Sequence, residues 1–222
     1  FPISFYDWCI STFGNGISKY FMIPYNEKLW KIDTRKLTTG WMGNYVPQPT
    51  LNEVINGAFT DDQKKFGYNA HFLYPKTGGI QSFVDELKTQ IGQANIKTNV
   101  KISSIDISKK IVKTNDGEMQ YKNLINTIPL PEFVGLIKRG GHVAKDVKNA
   151  TAKLKWRSVL NINVGINRKN ISDKHWVYFP EEKFAFYRVG FYSNFSKSLC
   201  PDGASSMYVE VSCLPDSRLP GK

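Results

Sequence analysis

The sequence has 222 residues, of which 41% are hydrophobic and 14% aromatic, enough to bury a substantial core and to exclude a disordered chain. Its 30 Lys and Arg against 19 Asp and Glu give a formal charge of +11, which favours an anionic partner: nucleic acid, a membrane surface or a phosphorylated metabolite. The basic residues are scattered in pairs such as Lys64-Lys65 and Lys109-Lys110 and interrupted by acids, which excludes a dedicated nucleic-acid arm, and no apolar run approaches the about 20 residues that span a bilayer.

Along the chain, Phe5, Trp8, Cys9, Phe13, Ile17, Tyr20 and Phe21 recur at helical spacing. Phe5 to Trp30 therefore reads as one or two helices, with Gly14 and Gly16 as weak points. Leu29 to Pro49 reads as a connection and Leu51 to Phe59 as a short helix. A strand is expected over Ala70 to Tyr74, followed by Gly78-Gly79 opening a helix from Ile80 to about Ile91. Alternation over Val100 to Ile107 and Ile111 to Thr114, with Asn115-Asp116-Gly117 before Glu118 to Tyr121, predicts a meander with a tight turn. Leu124 to Ile128 reads as a buried strand closed by Pro129, and Phe133 to Ala150 as helix despite Gly140-Gly141. Ser158 to Ile166, Trp176 to Phe179, Phe184 to Tyr192 and Ser206 to Ser212 are then a series of strands, most simply antiparallel. The fold class expected is α+β.

Cys9, Cys200 and Cys213 stand far apart, with only His71, His142 and His175 beside them in number, so neither a disulfide framework nor a metal site is expected and the compartment is read as reducing and cytoplasmic. Phe1 opens inside an aromatic-rich pattern without an initiating Met, and Lys222 follows a strand-like run closely. The sequence is accordingly expected to be an internal segment of a longer chain.

Several stretches carry chemistry beside a plainer reading. Gly14-Asn15-Gly16 lacks the third glycine and preceding strand of a dinucleotide loop. Thr77-Gly78-Gly79 either starts a helix or offers backbone donors to an anion or a flavin edge. Phe21 to Trp30 places aromatics and Asn26 around Pro24, suited to stacking a base or sugar, or to core packing at a helix end. Trp176 and Tyr178 share one side of a strand, and Arg188 stands alone in the next. That arginine needs an anion, which is either a protein carboxylate or a ligand phosphate.

Phe13-Gly14-Asn15-Gly16-Ile17, Phe21 to Trp30, Tyr68-Asn69-Ala70, Lys174 to Glu182, Phe186-Tyr187-Arg188 and Ser193-Asn194-Phe195-Ser196 together resemble the eukaryotic-type UDP-galactopyranose mutases, within the FAD-dependent amine oxidase and protoporphyrinogen oxidase-like superfamily. The resemblance spans nearly the whole sequence. It implies part of an α/β flavoprotein: a helical substrate-side domain (1–65), the middle of a Rossmann-like FAD-binding domain (66–130), and a helix with an antiparallel substrate-binding sheet (131–222). It also implies isomerisation of a nucleotide sugar between pyranose and furanose through reduced FAD, in surface-polysaccharide synthesis, with NAD(P)H as possible reductant. Arg188 would then hold a diphosphate, Tyr178 hydrogen-bond it, and Trp176 border sugar and flavin. Phe21, Asn26, Trp30, Asn69 and Asn194 would line the nucleotide-sugar site, while Gly78, Gly79, Ile102 and Thr127 would meet the cofactor. The sequence departs from the pattern at Tyr45, where the family has a second phosphate-binding arginine, and at Phe195, where it has a tyrosine. An oxidase of amines or porphyrinogens on the same scaffold, and a basic nucleic-acid-binding module, are the competing readings.

Overall fold

The computed structural model describes residues 3–43, 45–46, 49–60, 71–137 and 145–214. In chain order these form helices α1 (Phe5–Ile17), α2 (Ile23–Trp30), α3 (Leu51–Phe59), α4 (Gly79–Ile91), α5 (Leu130–Leu136) and α6 (Lys145–Lys153). The strands are β1 (Ile102–Asp106), β2 (Ile111–Thr114), β3 (Gly117–Gln120), β4 (Ser158–Ile166), β5 (Trp176–Tyr178), β6 (Arg188–Gly190) and β7 (Ser205–Cys213). This is the α+β mixture expected, and it divides into one compact unit of Phe1–Asp85 with Arg157–Lys222 and another of Glu86–Trp156. Among the described residues no helix is long and apolar enough to cross a membrane.

In the first unit, Ser4 caps α1 by accepting from the Asp7 amide at 3.1 Å, leaving the apolar stripe to bury Phe5 and Cys9 completely. Met22 and Met42 complete that core, with Trp8, Phe13, Phe21 and Leu37 packed around it. Gly14 is the weak point realised: at φ 72° and ψ 178° it interrupts the helical run. A π turn at Ser18–Met22 then leads into α2. Pro24, which has no amide to donate back along the helix, follows this turn at once, a natural place for the hydrogen-bond pattern to slip. Lys31 ends α2 in the left-handed conformation.

The same unit holds an antiparallel sheet in the order β4-β7-β6-β5. Strands β4 and β7 pair from Ser158↔Cys213 to Ile166↔Ser205, and β6 lies between β7 and β5. The strand expected over Phe184 to Tyr192 is confined to Arg188–Gly190. Its leading part is diverted because Phe184 N–H closes a turn on Glu181 O and the Lys28 ammonium takes Phe186 O, while a 3₁₀ turn occupies Tyr192–Asn194. The strand expected at Ala70 to Tyr74 is absent from the described part, 71–74; Ala70 lies outside the described residues.

In the second unit β1, β2 and β3 form the predicted meander, with Ile105 and Val112 paired and buried. Asn115 and Asp116 make the turn, and Gly117 supplies its positive φ of 110°. The buried strand predicted at Leu124 to Ile128 is not formed, and Ile125 is 89% exposed. The cause is local: the Asn126 side-chain amide donates to Ile128 O and its oxygen accepts from Ile128 N–H, taking groups a ladder would need. The helix expected over Phe133 to Ala150 is seen as α5 and α6, with 138–144 outside the described residues.

Candidate functional site

Registers of β5, β6 and β7 build the site. Tyr178 pairs with Arg188, and Arg188 with Glu210; one step along, Trp176 pairs with Gly190, and Gly190 with Tyr208. Directly opposed residues of antiparallel strands share a face. One face therefore presents Trp176, Tyr178, Arg188, Tyr208 and Glu210, while the other carries Val177, Val189 and Val209.

Arg188 finds its anion within the protein. Its Nε donates to Glu210 Oε2 at 2.7 Å and its Nη2 to Oε1 at 2.9 Å, a two-pronged pair matched to guanidinium geometry. Glu210 is 8% exposed. Arg188 stays charged: burial disfavours the cation, but the Glu210 carboxylate more than offsets it and raises the pKa above the ordinary arginine value. Tyr187, adjacent and buried, donates its backbone N–H to Glu210 O at 3.0 Å, and its phenol is pushed up by burial and by the nearby Glu210 carboxylate. Of the two partners left open by the sequence, the carboxylate is present, and Nη1 of Arg188 is not used by it.

Aromatic rings wall this row. Tyr25 of α2 lies edge-on to Tyr178 at 5.1 Å and to Tyr187 at 6.2 Å, and Phe21 stacks on Tyr25 at 5.4 Å. Phe72 touches both His175 and Trp176, and Phe195 stacks on His175 at 5.5 Å. Tyr208 packs on Tyr192 at 4.6 Å. Lys28 fixes the connection between β5 and β6 by donating to the carbonyls of Phe179, Glu181 and Phe186, and this burial lowers its pKa.

The structure thus brings Phe21, Trp176, Tyr178 and Arg188 together. Asn26 and Asn194 have local tasks: Asn26 Nδ2 donates to Met22 O at 2.7 Å, and Asn194 Nδ2 to Ser172 O and Lys174 O at 2.9 and 2.6 Å, which pins the approach to β5. Trp30 meets Trp41 edge-on, and its buried Nε1 has no hydrogen-bond partner among the described residues. A buried donor left unmatched costs about 1–3 kcal/mol, and this one is fully enclosed by the packing around it. Asn69 lies outside the described residues.

Gly78 and Gly79 have φ of 75° and 62° and form the start of α4. A Cβ on Gly78 would meet the Ser82 side chain at 3.1 Å, and one on Gly79 would meet Leu199 at 3.1 Å, so the turn's own packing accounts for the two glycines. In the second unit Ile102 opens β1 beside a bulge and is 36% exposed, and Thr127 is exposed.

Sequence reasoning missed Glu210, Tyr208 and Tyr187. The signal for Glu210 was the one that flagged Arg188, a lone charge inside an otherwise apolar strand. For Tyr208 the only signal was Gly190 in the facing strand.

Residues 20–217 match the family described as flavin containing amine oxidoreductase. Over 96% of its length the chain superposes, with a TM-score of 0.86 and 28% identity, on 48% of a crystal structure of reduced UDP-galactopyranose mutase. A protein from Pyrococcus furiosus (TM-score 0.66, 17% identity) and an oxidoreductase from Methanosarcina mazei (0.59, 15%) share the fold over 96% of this chain and 50% and 48% of theirs. The chain spans about half the length of the structures it matches, and its α+β fold is that of a flavoprotein.

Proposed function

The chain belongs to the flavin containing amine oxidoreductase family, and on that premise we propose that it is the substrate-side part of an FAD-dependent, UDP-galactopyranose mutase-like enzyme acting on a nucleotide sugar in the cytoplasm. The observation that carries this reading is the row Tyr178–Arg188–Glu210, one half-buried cation held rigidly on a sheet walled by aromatic rings. The likeness to the mutase crystal structure supports it.

Each residue then has a task. Glu210 fixes the guanidinium plane, so Arg188 turns its Nη1 edge to a phosphate oxygen without further ordering. Tyr178, opposite Arg188, donates to the same diphosphate. Trp176 and Phe72 form an apolar wall for the sugar and exclude water from it. Phe21, stacked on Tyr25, and Trp30 are proposed to line the nucleotide side. Ile102 and Thr127 are proposed as flavin contacts in the Glu86–Trp156 unit, and the backbone amides of Gly78 and Gly79 as contacts to the flavin edge. FAD, when bound and reduced, supplies the nucleophile for ring isomerisation without net oxidation, with NAD(P)H as the reductant.

The full-length protein, reduced with dithionite, should interconvert UDP-galactopyranose and UDP-galactofuranose; no interconversion with FAD bound would overturn the reading. A second reading, an FAD-dependent amine oxidase, is favoured by the compensation of Arg188 by Glu210, which leaves the site less cationic. Oxygen consumption on addition of amines, with no mutase turnover, would select it.

A further inference from the structure

Tyr208 stands out among residues that the reading above does not use. It sits on β7 opposite Gly190, and the close approach is one-sided: a Cβ built on Gly190 would lie 2.1 Å from two carbons of the Tyr208 ring and 2.3 Å from its hydroxyl oxygen. The ring therefore lies flat across β6, in the space a side chain at position 190 would occupy. The phenol oxygen comes to rest above Gly190 itself. Gly190 is also the register partner of Trp176, one strand spacing of about 4.8 Å away, and stands two residues, about 7 Å, along β6 from Arg188. The hydroxyl thus lies over Gly190, on the sheet face that also carries Trp176 and Arg188.

The residue is held for this. Tyr192 packs on the ring at 4.6 Å, and only 7% of Tyr208 is exposed. Its hydroxyl makes no hydrogen bond with any described residue. Nor is it one of the fully enclosed polar atoms left unpartnered, which among the described residues are Ser18 Oγ and Trp30 Nε1. The hydroxyl is therefore not completely enclosed. Burial keeps the phenol protonated above its ordinary range, so at neutral pH it is a donor.

We propose that Tyr208 is a ligand-binding residue whose hydroxyl, laid over Gly190, donates a hydrogen bond to a phosphate oxygen held by Arg188. The inference rests on the diphosphate reading of the site and adds a second donor to it. A ring so placed is rigid before the ligand arrives, so the bond forms at little ordering cost. A glycine at position 190 is what allows it.

The test is binding of UDP and of uridine to the full-length flavin-loaded protein, by calorimetry, for the wild type and Tyr208→Phe. The phenylalanine ring keeps the packing on Gly190 and Tyr192 and removes only the hydroxyl. UDP should bind about 10- to 100-fold more weakly to the variant, as expected for one lost hydrogen bond to a charged group. Uridine, which has no phosphate, should bind both proteins equally. If UDP binds the two proteins alike, or if uridine weakens as much as UDP, the role given to Tyr208 is overturned while the diphosphate reading stands. If UDP fails to bind the wild type, both are overturned.

Discussion

Arg188 and Glu210 face each other in register across β6 and β7 and share two hydrogen bonds, of 2.7 and 2.9 Å, with the carboxylate almost wholly buried. Such a pair is not strong support for stability as a whole, because both ions lose water on burial. Its consequence is directional: removing one member leaves the other charged and unmatched.

Glu210→Ala should therefore destabilise the full-length protein by about 2–4 kcal/mol, and Glu210→Gln, which keeps the shape and one acceptor, by about half as much. Arg188→Met combined with Glu210→Ala should cost less than the sum of the single changes. Urea unfolding of the four proteins measures this coupling; an additive double variant would mean the pair is not linked.

Lys28 ties the connection between β5 and β6 through three carbonyls. With Lys28→Met, the oxygens of Phe179, Glu181 and Phe186 lose a charged donor and the tie to α2 is cut. The expected cost is about 1–3 kcal/mol. Hydrogen exchange should show faster amide exchange over 179–187 than over β7, whose long pairing with β4 is untouched.

These two relationships mark the limit of what the sequence makes legible. Alternation and turn chemistry were enough for the meander, for α4 and for the antiparallel order of the later strands, because those signals are local. Trp176, Tyr178 and Arg188 were legible too, since a strand's period of two sets their faces. Glu210 was visible only as an odd charge, and its pairing with Arg188 depends on a register between β6 and β7 that no short window contains. Leu124 to Ile128 misled because its apolar residues say nothing of Asn126, whose side chain captures the backbone of Ile128. Gly190 looks like any strand glycine until the Tyr208 ring is seen lying on it.

Cys9 links the helical core to pH. Burial in the cluster with Phe5, Met22 and Met42 pushes its thiol up from 9.0 to about 11. A raised folded-state value means that the folded form holds the proton more tightly, so this contribution is complete below pH 9 and is lost as pH rises toward 11. The expected loss is on the order of 2 kcal/mol over that window. Cys9→Ala should pay a cavity cost at neutral pH yet show a shallower fall in thermal stability between pH 9 and 11 than the wild type. At pH 8, a thiol reagent should label the half-buried Cys200 and Cys213 before Cys9.

Gly190 and Tyr208 make the sharpest steric prediction. Gly190→Ala places a methyl where the Tyr208 ring lies, and ring atoms at 2.1 Å from that carbon must move. The ring is held by Tyr192 on one side and by the strand on the other, so relief requires a rotamer change or a shift of β6 against β7, with an expected cost of about 1–3 kcal/mol. The strain belongs to the pair. In a Tyr208→Ala background the same methyl meets open space, and Gly190→Ala should then be neutral or slightly stabilising, because alanine narrows the unfolded chain's freedom. Thermal unfolding of the wild type, the two single variants and the double variant distinguishes this from a simple intolerance of alanine at position 190: an equal penalty in both backgrounds would show that Tyr208 does not fill the space above Gly190.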